Sequence, residues 1–295
     1  MAVAPVTYGA STRPPRGDYA SAADDYTCPQ HWNRYTAAEH ALYARLHQRQ
    51  LRQMPGQACE EFIHALAQLG NTEQIPDFDE VSERLRRATR WEIGAGPGLI
   101  PEHAFFSLLA ARRFPVTVWL RTPEEFDYIV EPDVFHDLFG HVPLLFSPVF
   151  ADYMQAFGAG GLKAEGLAAL RYLARLYWYT VEFGLIQTPT GLRAYGAGIL
   201  SSAGETPYAL TSLRPQRLAF DLARVMRTDY RIDDFQDSYF VIDSFAQLFD
   251  ATAPDFTALY RQLDALPALP AGSRLPGERL FAPNPTQPAQ HARPA

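Results

Sequence analysis

Three side chains in two separate segments combine residue types that bind metal ions. His136 and His141 stand five residues apart in Glu131-Pro-Asp-Val-Phe-His-Asp-Leu-Phe-Gly-His-Val-Pro143, a segment that is otherwise largely apolar. Glu182 follows in Tyr177-Trp-Tyr-Thr-Val-Glu-Phe-Gly-Leu185, where an unpaired carboxylate among aromatic and aliphatic side chains would be costly to bury. Two neutral imidazoles and one carboxylate are the ligand set of non-haem Fe(II) oxygenases. The pattern therefore predicts an iron site with open coordination positions.

The spacing of the two histidines constrains the local backbone. On a regular α-helix, residues five positions apart point about 140° away from each other, so they cannot bind one ion. We therefore expect the helix to end early, at Gly140 and Pro143, so that His141 swings back. The spacing differs from the His-Glu-x-x-His pattern of zinc proteases. Asp137, next to His136, is expected to orient a metal ligand.

Structural interpretations of the same residues compete with the metal site. A lone histidine in an apolar segment is more often a hydrogen-bonded core residue. Glu182 has an alternative partner in Arg171 or Arg175, although both lie beyond the i±3 and i±4 positions that are neighbours on a helix. Two histidines together with a buried glutamate favour the metal, but spacing alone does not name it.

Composition excludes several classes of function. The chain has 295 residues, a formal net charge of −7 and a pI near 5.6, so it has no basic surface for nucleic acid, and small-molecule substrates fit better. Only Cys28 and Cys59 are present, and the first residues lack the layout of a signal peptide, which indicates a reducing, cytoplasmic location. No apolar run approaches the roughly 20 residues that span a bilayer, so no membrane role is expected.

The periodicity predicts a mainly α, single catalytic domain with a few short peripheral strands. We expect a flexible arm over residues 1–25, the catalytic domain over 26–266 and a Pro/Ala-rich tail over 267–295. The first predicted helix covers 36–53 and begins at a Thr36–Glu39 capping box, and the second covers 57–69 and ends at Gly70. Further helices are predicted over 79–89, from Pro101 onward, over 215–226, and over 244–266 with a break near Pro254. A central helix over 163–183 is predicted to carry Glu182. The predicted strands cover 115–120, 229–232 and 239–242, and residues 193–202 read as turns around short strands.

Three segments resemble signatures of the pterin-dependent aromatic amino acid hydroxylase family. They are the segment with the two histidines, the segment with Glu182, and Tyr195-Gly-Ala-Gly-Ile-Leu-Ser-Ser202. The resemblance covers about residues 26–260 and looks closest to the short bacterial phenylalanine 4-monooxygenases of that family. It implies a mostly helical catalytic domain that uses Fe(II), a tetrahydropterin and O2 to convert L-phenylalanine to L-tyrosine, the first step of phenylalanine catabolism. It also implies a monomer, because the chain has no room for the regulatory domain and tetramerisation helix of the animal enzymes.

The resemblance also assigns site residues. The family's iron ligands fall on His136, His141 and Glu182. Its pterin-binding positions and the pocket between iron and pterin fall on Gly98, Leu99, Ile100, Phe105 as the stacking ring, Glu131 near the reactive edge of the pterin, and Tyr177. The substrate carboxylate is expected to meet Arg121, helped by Ser201 and Ser202, while Trp178 and Phe183 wall the aromatic ring.

Each of these assignments has a plainer alternative. Arg121 could simply be a solvated residue at the end of a strand. Trp178 and Phe183 could simply be core residues of a helix. Sequence does not decide whether Phe105 or Phe106 faces the pocket. Pro115 stands where the animal enzymes have a pterin-contacting histidine. Residues 94–99 have the glycines of a nucleotide-binding loop, but Pro97 and the lack of a strong preceding strand disfavour that interpretation.

Three functional alternatives stay open from the sequence. The same machinery can hydroxylate tryptophan or tyrosine, since ring preference depends on the shape of the pocket. A zinc hydrolase would use the same histidines without oxygen or pterin. A non-catalytic helical protein would use the polar cluster only for stability.

Overall fold

Helices are the predominant secondary structure, as expected, and the mainly α prediction is confirmed. The computed structural model describes residues 16–70, 72–232 and 234–285. The α-helices are α1 Ala37–Gln53, α2 Glu60–Leu66, α3 Phe78–Thr89, α4 Glu102–Ala110, α5 Pro148–Gly166, α6 Leu170–Tyr177, α7 Ala197–Leu200, α8 Glu205–Thr211, α9 Leu222–Arg227, α10 Phe245–Thr252 and α11 Thr257–Asp264. The strands are β1 Glu92–Gly96, β2 Arg113–Thr117, β3 Leu185–Thr188, β4 Gly191–Ala194, β5 Gln216–Ala219 and β6 Ser238–Ile242.

Local capping signals placed the first helix correctly. The Thr36 hydroxyl accepts a hydrogen bond from the Glu39 amide at 3.2 Å, and the Glu39 carboxylate accepts one from the Thr36 amide at 2.8 Å. This capping box satisfies amides that have no partner inside α1. The predicted second helix is too long, because the backbone of Gln57 and Cys59 pairs with Ala194 in an isolated bridge and α2 begins only afterwards.

The predicted continuous helix over 163–183 is wrong, because the chain ends one helix and starts another inside it. At the end of α5, the Ala169 amide donates to the Ala164 carbonyl and the Ala168 amide donates to the Glu165 carbonyl. Ala168 has a φ of 54°, so these bonds form a Schellman motif with alanine in the left-handed position that glycine usually fills. Without a glycine there, the sequence carried no stop signal.

A parallel pair of strands precedes the predicted metal segment. β1 pairs with β2, with Glu92 opposite Arg113, and α4 forms the crossover between them. The expectation of no strand before Pro97 is therefore wrong, and the strand predicted over 115–120 lies slightly earlier. α4 packs closely on α5, since a Cβ built on Gly158 would lie 2.4 Å from the Ala110 amide nitrogen. This contact fixes α4 beside the central helices.

A four-stranded mixed sheet with the order β4-β3-β6-β5 covers the other side of the central helices. The prediction for β6 is confirmed, whereas the predicted helix over 215–226 is wrong. Its first part is β5, which pairs with β6, and α9 starts only at Leu222, capped by Asp221, whose side chain accepts from the Arg224 amide. The strand predicted over 229–232 is also wrong, because those residues form no strand, and Tyr230 and Ile232 line the pocket described below.

Both ends of the described chain pack against its central part. The Tyr19 hydroxyl donates to the Leu99 carbonyl at 2.9 Å. At the other end, the Asn284 side-chain amide donates to the Leu192 carbonyl at 2.8 Å. The predicted division into arm, domain and tail stays a prediction, and residues 1–15 and 286–295 lie outside the described residues. No helix of the described chain is long and apolar enough to cross a membrane.

Candidate metal centre

His136 and His141 lie on one π-helical turn, His136–His141. In a π-helix each amide bonds the carbonyl five residues earlier, and here the Val142 amide donates to the Asp137 carbonyl at 3.1 Å. The wider turn brings residues five apart onto the same face. The expectation that the helix ends at Gly140 and lets His141 swing back is therefore wrong. The helix widens, and both imidazoles point the same way.

Glu182 closes a second π-helical turn, Trp178–Glu182, which follows α6 directly. The Phe183 amide donates to the Trp178 carbonyl at 2.8 Å, which is the same five-residue bond. The alternative partners of the glutamate are excluded by their own contacts, since Arg171 pairs with Asp264 and Arg175 pairs with Asp229. Glu182 therefore faces the histidines.

The three side chains converge as metal ligands would. The Nε2 atoms of His136 and His141 are 3.1 Å apart, and the Glu182 carboxylate lies 3.0 Å from Nε2 of His141 and 3.7 Å from Nε2 of His136. At this distance the two neutral imidazole nitrogens cannot both be hydrogen-bond donors. The lone pair of each nitrogen and the carboxylate can, however, bind one cation together. The donor set therefore fits a divalent metal. In the described part of the chain, it is the one cluster with this geometry.

A hydroxyl sets the orientation of the first imidazole. Ser201, at the end of α7, places its Oγ 2.8 Å from Nδ1 of His136, which leaves Nε2 to face the cluster. Burial lowers the pKa of His136 to about 4, so the ring is neutral, as a metal ligand must be. Burial also acts to lower the pKa of His141, but the Glu182 carboxylate outweighs it and raises that pKa. Burial acts to raise the pKa of Glu182, but its contacts, above all with His141, outweigh burial and lower that pKa.

The contact between Ser201 and His136 leads to a testable prediction. We expect Ser201→Ala to weaken Fe(II) binding by about 10- to 100-fold, the usual effect of removing a group that orients a metal ligand. An anaerobic competition titration with a chelator measures the affinity. Ser202→Ala is the matched control, because the Ser202 hydroxyl accepts from the Glu205 amide at 3.1 Å instead. Equal iron affinity in the two variants would contradict the orienting role of Ser201.

Arg121 lies at the pocket, but one edge of its guanidinium is already occupied. Its Nε and Nη2 donate to the two carboxylate oxygens of Asp133 at 2.8 and 2.9 Å, and the side chains are 4% and 0% exposed. The solvated alternative for Arg121 is therefore wrong. Asp133 was not identified from the sequence, although it also accepts the amide of His136 at 3.0 Å and so ties the arginine to the metal turn. Binding of a substrate carboxylate by Arg121 stays a prediction.

An aromatic cavity of about 360 Å³ opens beside the three ligands, which form part of its lining. The Tyr177 ring lies between the metal turn and α4, with its centroid 6.2 Å from the His141 ring and 5.4 Å from the Phe105 ring. Phe106 is buried against α5, whereas Phe105 is only partly buried. Of the two phenylalanines, Phe105 is thus the one better placed to stack on a flat ligand.

The predicted pterin loop lines the same cavity. Gly98, Leu99, Ile100 and Glu131 all belong to its lining. The Glu131 carboxylate accepts a hydrogen bond from the backbone amide of Arg16 at 3.1 Å. This contact was not predictable from the local sequence. Pro115 also lines the cavity, on the neighbouring strand β2. The structure therefore brings all the predicted pterin residues to the lining of one cavity.

Trp178 and Phe183 form the opposite wall. Their ring centroids are 4.8 Å apart, and the Trp178 ring stacks on Tyr230 at 4.4 Å. Both rings line the cavity and are only partly buried, so they are not simply buried core residues of a helix. Tyr230 was missed, because residues 229–232 were expected to form a strand rather than a pocket loop.

Glu205 is a further residue that sequence reasoning missed. It lines the cavity at the start of α8, is 5% exposed, and accepts hydrogen bonds through Oε1 from the Gln236 amide at 3.1 Å and the Tyr239 hydroxyl at 2.5 Å. Burial raises its pKa to about 7, in spite of these two bonds, and the nearby charge of Asp234 adds to the increase. A single glutamate in Gly-Glu-Thr-Pro gave no signal of this environment.

The raised pKa of Glu205 predicts how stability depends on pH. A buried acid whose pKa is 4.5 when unfolded and about 7 when folded destabilises the folded state progressively as pH rises from about 4.5 to above 7. Glu205→Gln removes that charge. We expect the variant to gain up to about 3 kcal/mol in unfolding free energy relative to the parent between pH 5 and pH 8. Urea denaturation at both pH values measures the difference, and a difference independent of pH would contradict the assignment.

Comparisons with known proteins agree with this geometry. A family model described as biopterin-dependent aromatic amino acid hydroxylase matches residues 9–262. The chain is 59% identical over 258 residues to a phenylalanine-4-hydroxylase of Ralstonia nicotianae, covering 87% of this chain and 82% of the relative. It is 61% identical over 247 residues to one of Chromobacterium violaceum, covering 83% of each chain.

Solved structures give the same result. The crystal structure of phenylalanine hydroxylase from Chromobacterium violaceum bound to cobalt matches with a TM-score of 0.86 and 58% identity, covering 88% of this chain and 94% of that chain. That relative binds cobalt, in accord with the donor set described here. With the family model matched over most of its length, this chain belongs to the biopterin-dependent aromatic amino acid hydroxylases.

Proposed function

We propose that this chain is an iron- and tetrahydropterin-dependent monooxygenase that converts L-phenylalanine to L-tyrosine with O2. The convergence of His136, His141 and Glu182 beside an aromatic cavity carries the proposal. Family membership supports the pterin and the hydroxylation chemistry, and the relatives named phenylalanine-4-hydroxylase support the substrate.

The proposed metal ligands are His136, His141 and Glu182, which would hold Fe(II) through two Nε2 atoms and the carboxylate. When bound, iron and the reduced pterin together supply the activation of O2, one oxygen atom of which goes to the substrate ring and the other to the pterin. The protein's part is to align both imidazoles, which the π-helical turn does together with Ser201, and to keep His136 neutral by burial.

The proposed pterin site consists of Gly98, Leu99, Ile100, Phe105 and Glu131. Phe105 is the proposed stacking ring for a flat heterocycle, because it is partly buried and lines the cavity next to the metal ligands. Backbone groups of the loop around Leu99 are held in place by the Tyr19 hydroxyl. Tyr177 separates this site from the helix core and keeps its ring next to His141.

The proposed substrate site lies on the other side of the cavity. The Nη1 atom of Arg121 has no hydrogen-bond partner among the described residues, so it is placed to meet an amino acid carboxylate while Asp133 fixes the other edge of the guanidinium. Ser201 and Ser202 border this position, and Trp178 and Phe183 wall the substrate ring. The apolar walls exclude water from the reacting carbon, which prevents side reactions.

One comparison tests this function against the alternatives. The purified chain is assayed for tyrosine formation from L-phenylalanine, with and without Fe(II), a tetrahydropterin and O2. Loss of product when any of the three is omitted supports the proposal. Hydrolytic activity without O2 or pterin, with zinc bound, would identify a hydrolase. Destabilisation on metal removal, with no turnover under any condition, would identify a structural site.

The oligomeric state and location follow the same proposal. We propose a cytoplasmic monomer that binds small molecules and no nucleic acid, since the net charge of −7 offers no basic surface. Gel filtration with light scattering tests the monomer. The division into an arm over 1–25, a domain over 26–266 and a tail over 267–295 belongs to this proposal as well. Limited proteolysis tests both boundaries, and the contacts of Tyr19 and Asn284 are expected to slow cleavage beside those two residues.

A further inference from the structure

A chain of buried hydrogen bonds runs from Glu205 to the indole that walls the aromatic pocket. Oε1 of Glu205 accepts from the backbone amide of Gln236 and from the hydroxyl of Tyr239. Gln236 is 2% exposed and Tyr239 is 0% exposed. Since both bonds end on the same oxygen, the carboxyl group holds two elements together, the pocket loop before β6 and β6 itself.

Gln236 carries the connection into the pocket. Its side-chain oxygen accepts the indole N–H of Trp178 at 2.8 Å, and its side-chain amide donates to the carbonyl of Arg231 at 2.8 Å. One glutamine thus joins the wall residue and the pocket loop. With Gln236 in place, the indole has a fixed hydrogen-bond direction in addition to its stack on Tyr230.

The Trp178 indole forms part of the wall of the aromatic cavity. Its ring packs against Phe183, with the two centroids 4.8 Å apart, so the two rings form one continuous wall of the proposed substrate ring site. If the acceptor on Gln236 is removed, the indole N–H loses its partner in a largely apolar environment, which favours rotation of the ring. A rotated indole changes the space available to a second fused ring more than the space available to one ring.

We propose that Glu205 is a positioning residue that sets the ring selectivity of this site, because through Gln236 it holds the Trp178 indole at the angle that admits a single-ring side chain and disfavours the two-ring side chain of tryptophan. The inference rests on the proposed function and extends it to the choice among aromatic amino acids. Glu205 itself acts on the substrate only through Gln236 and Trp178.

Two variants break the hydrogen-bond chain at different links, and a third preserves it. Gln236→Leu removes the acceptor for the indole but keeps the backbone amide that Glu205 binds. Glu205→Leu removes the acceptor at the other end with a side chain of similar size. Glu205→Gln keeps an oxygen at the Oε1 position, so it serves as the conservative variant that rescues the geometry.

The measurement is the ratio of kcat/KM for L-phenylalanine to that for L-tryptophan, determined in competition. We expect the ratio to fall about tenfold in Gln236→Leu and Glu205→Leu, within the range that small changes of an apolar pocket produce, and to stay at the parent value in Glu205→Gln. Gln155→Leu is the control, because Gln155 is a partly buried glutamine of α5 bonded to Arg112 and Ala110, away from the pocket. It is expected to leave the ratio unchanged.

Calorimetric binding of the two amino acids to the iron-loaded protein gives a readout that does not require turnover. A parent protein that binds L-phenylalanine selectively but does not hydroxylate it would reject the proposed function, while a loss of binding selectivity in the two leucine variants would still support the role of Glu205. Unchanged selectivity in Gln236→Leu, with the fold intact by circular dichroism, would overturn that role. A parent that binds neither amino acid would overturn both.

Discussion

Glu182→Gln is expected to abolish stoichiometric iron binding and to lower hydroxylation by more than about 100-fold, beyond the effect of residues that only orient a ligand. The substitution keeps the shape of the side chain but removes the single negative charge of the donor set, and it replaces one acceptor oxygen by an amide that cannot bind a cation. Metal analysis after anaerobic loading and a tyrosine-formation assay measure the two effects.

The control for this substitution is Glu165→Gln, which neutralises an exposed carboxylate that pairs with His103 on the surface. It is expected to keep iron content and activity at the parent values. His136→Ala should reproduce the loss seen in Glu182→Gln, because the two side chains come from different segments but serve one ion. Parent-level activity in either Glu182→Gln or His136→Ala would reject the ligand assignment.

Asp133→Asn is expected to lower the free energy of unfolding by about 3–5 kcal/mol, the usual cost of removing one partner from a buried ion pair. The guanidinium of Arg121 is 4% exposed and would lose its only charged partner among the described residues, and the amide of His136 would lose a charged acceptor. Urea denaturation measures the loss. Since Asp133 fixes Arg121, the KM for phenylalanine should rise as well.

The matched comparison is Glu83→Gln, which neutralises an exposed pair with Arg87 on α3. Such surface pairs contribute about 1 kcal/mol or less, so the two losses should differ clearly. A loss below about 1 kcal/mol in Asp133→Asn would mean that the buried pair adds nothing beyond a surface contact. It would also remove the argument that Asp133 positions Arg121.

Features that depend on a few neighbouring residues were predictable. The capping box of Thr36 and Glu39 marks the start of α1 because both partners lie within one turn. The donor set was identified by chemistry, since His136, His141 and Glu182 are residue types that an apolar environment does not tolerate without a partner. The resemblance to a known family then placed the aromatic residues, and the structure brings them to one cavity.

Features that depend on distant partners were not predictable. Residues 216–219 form a strand because β6 lies beside them, and no local pattern reveals that pairing. The break after α5 rests on Ala168 in a left-handed conformation, where sequence rules expect glycine. Asp133 and Glu205 have special environments only because Arg121 and Tyr239 are brought to them by the fold.

The two π-helical turns make the metal centre depend on the number of residues as well as on their identity. His136 and His141 enclose four residues, one more than the three that separate same-face positions on an α-helix. Deleting any one of those four would let the backbone tighten into an ordinary helix, with both imidazoles still on one side. Because His141 keeps its side, the buried stretch Val142–Phe146 that follows it would also keep its direction around the axis. Among variant chains of this kind, we therefore expect a spacing of four residues between the histidines, with an ordinary helical turn, to be an accepted alternative to the spacing of five with a π-helical turn.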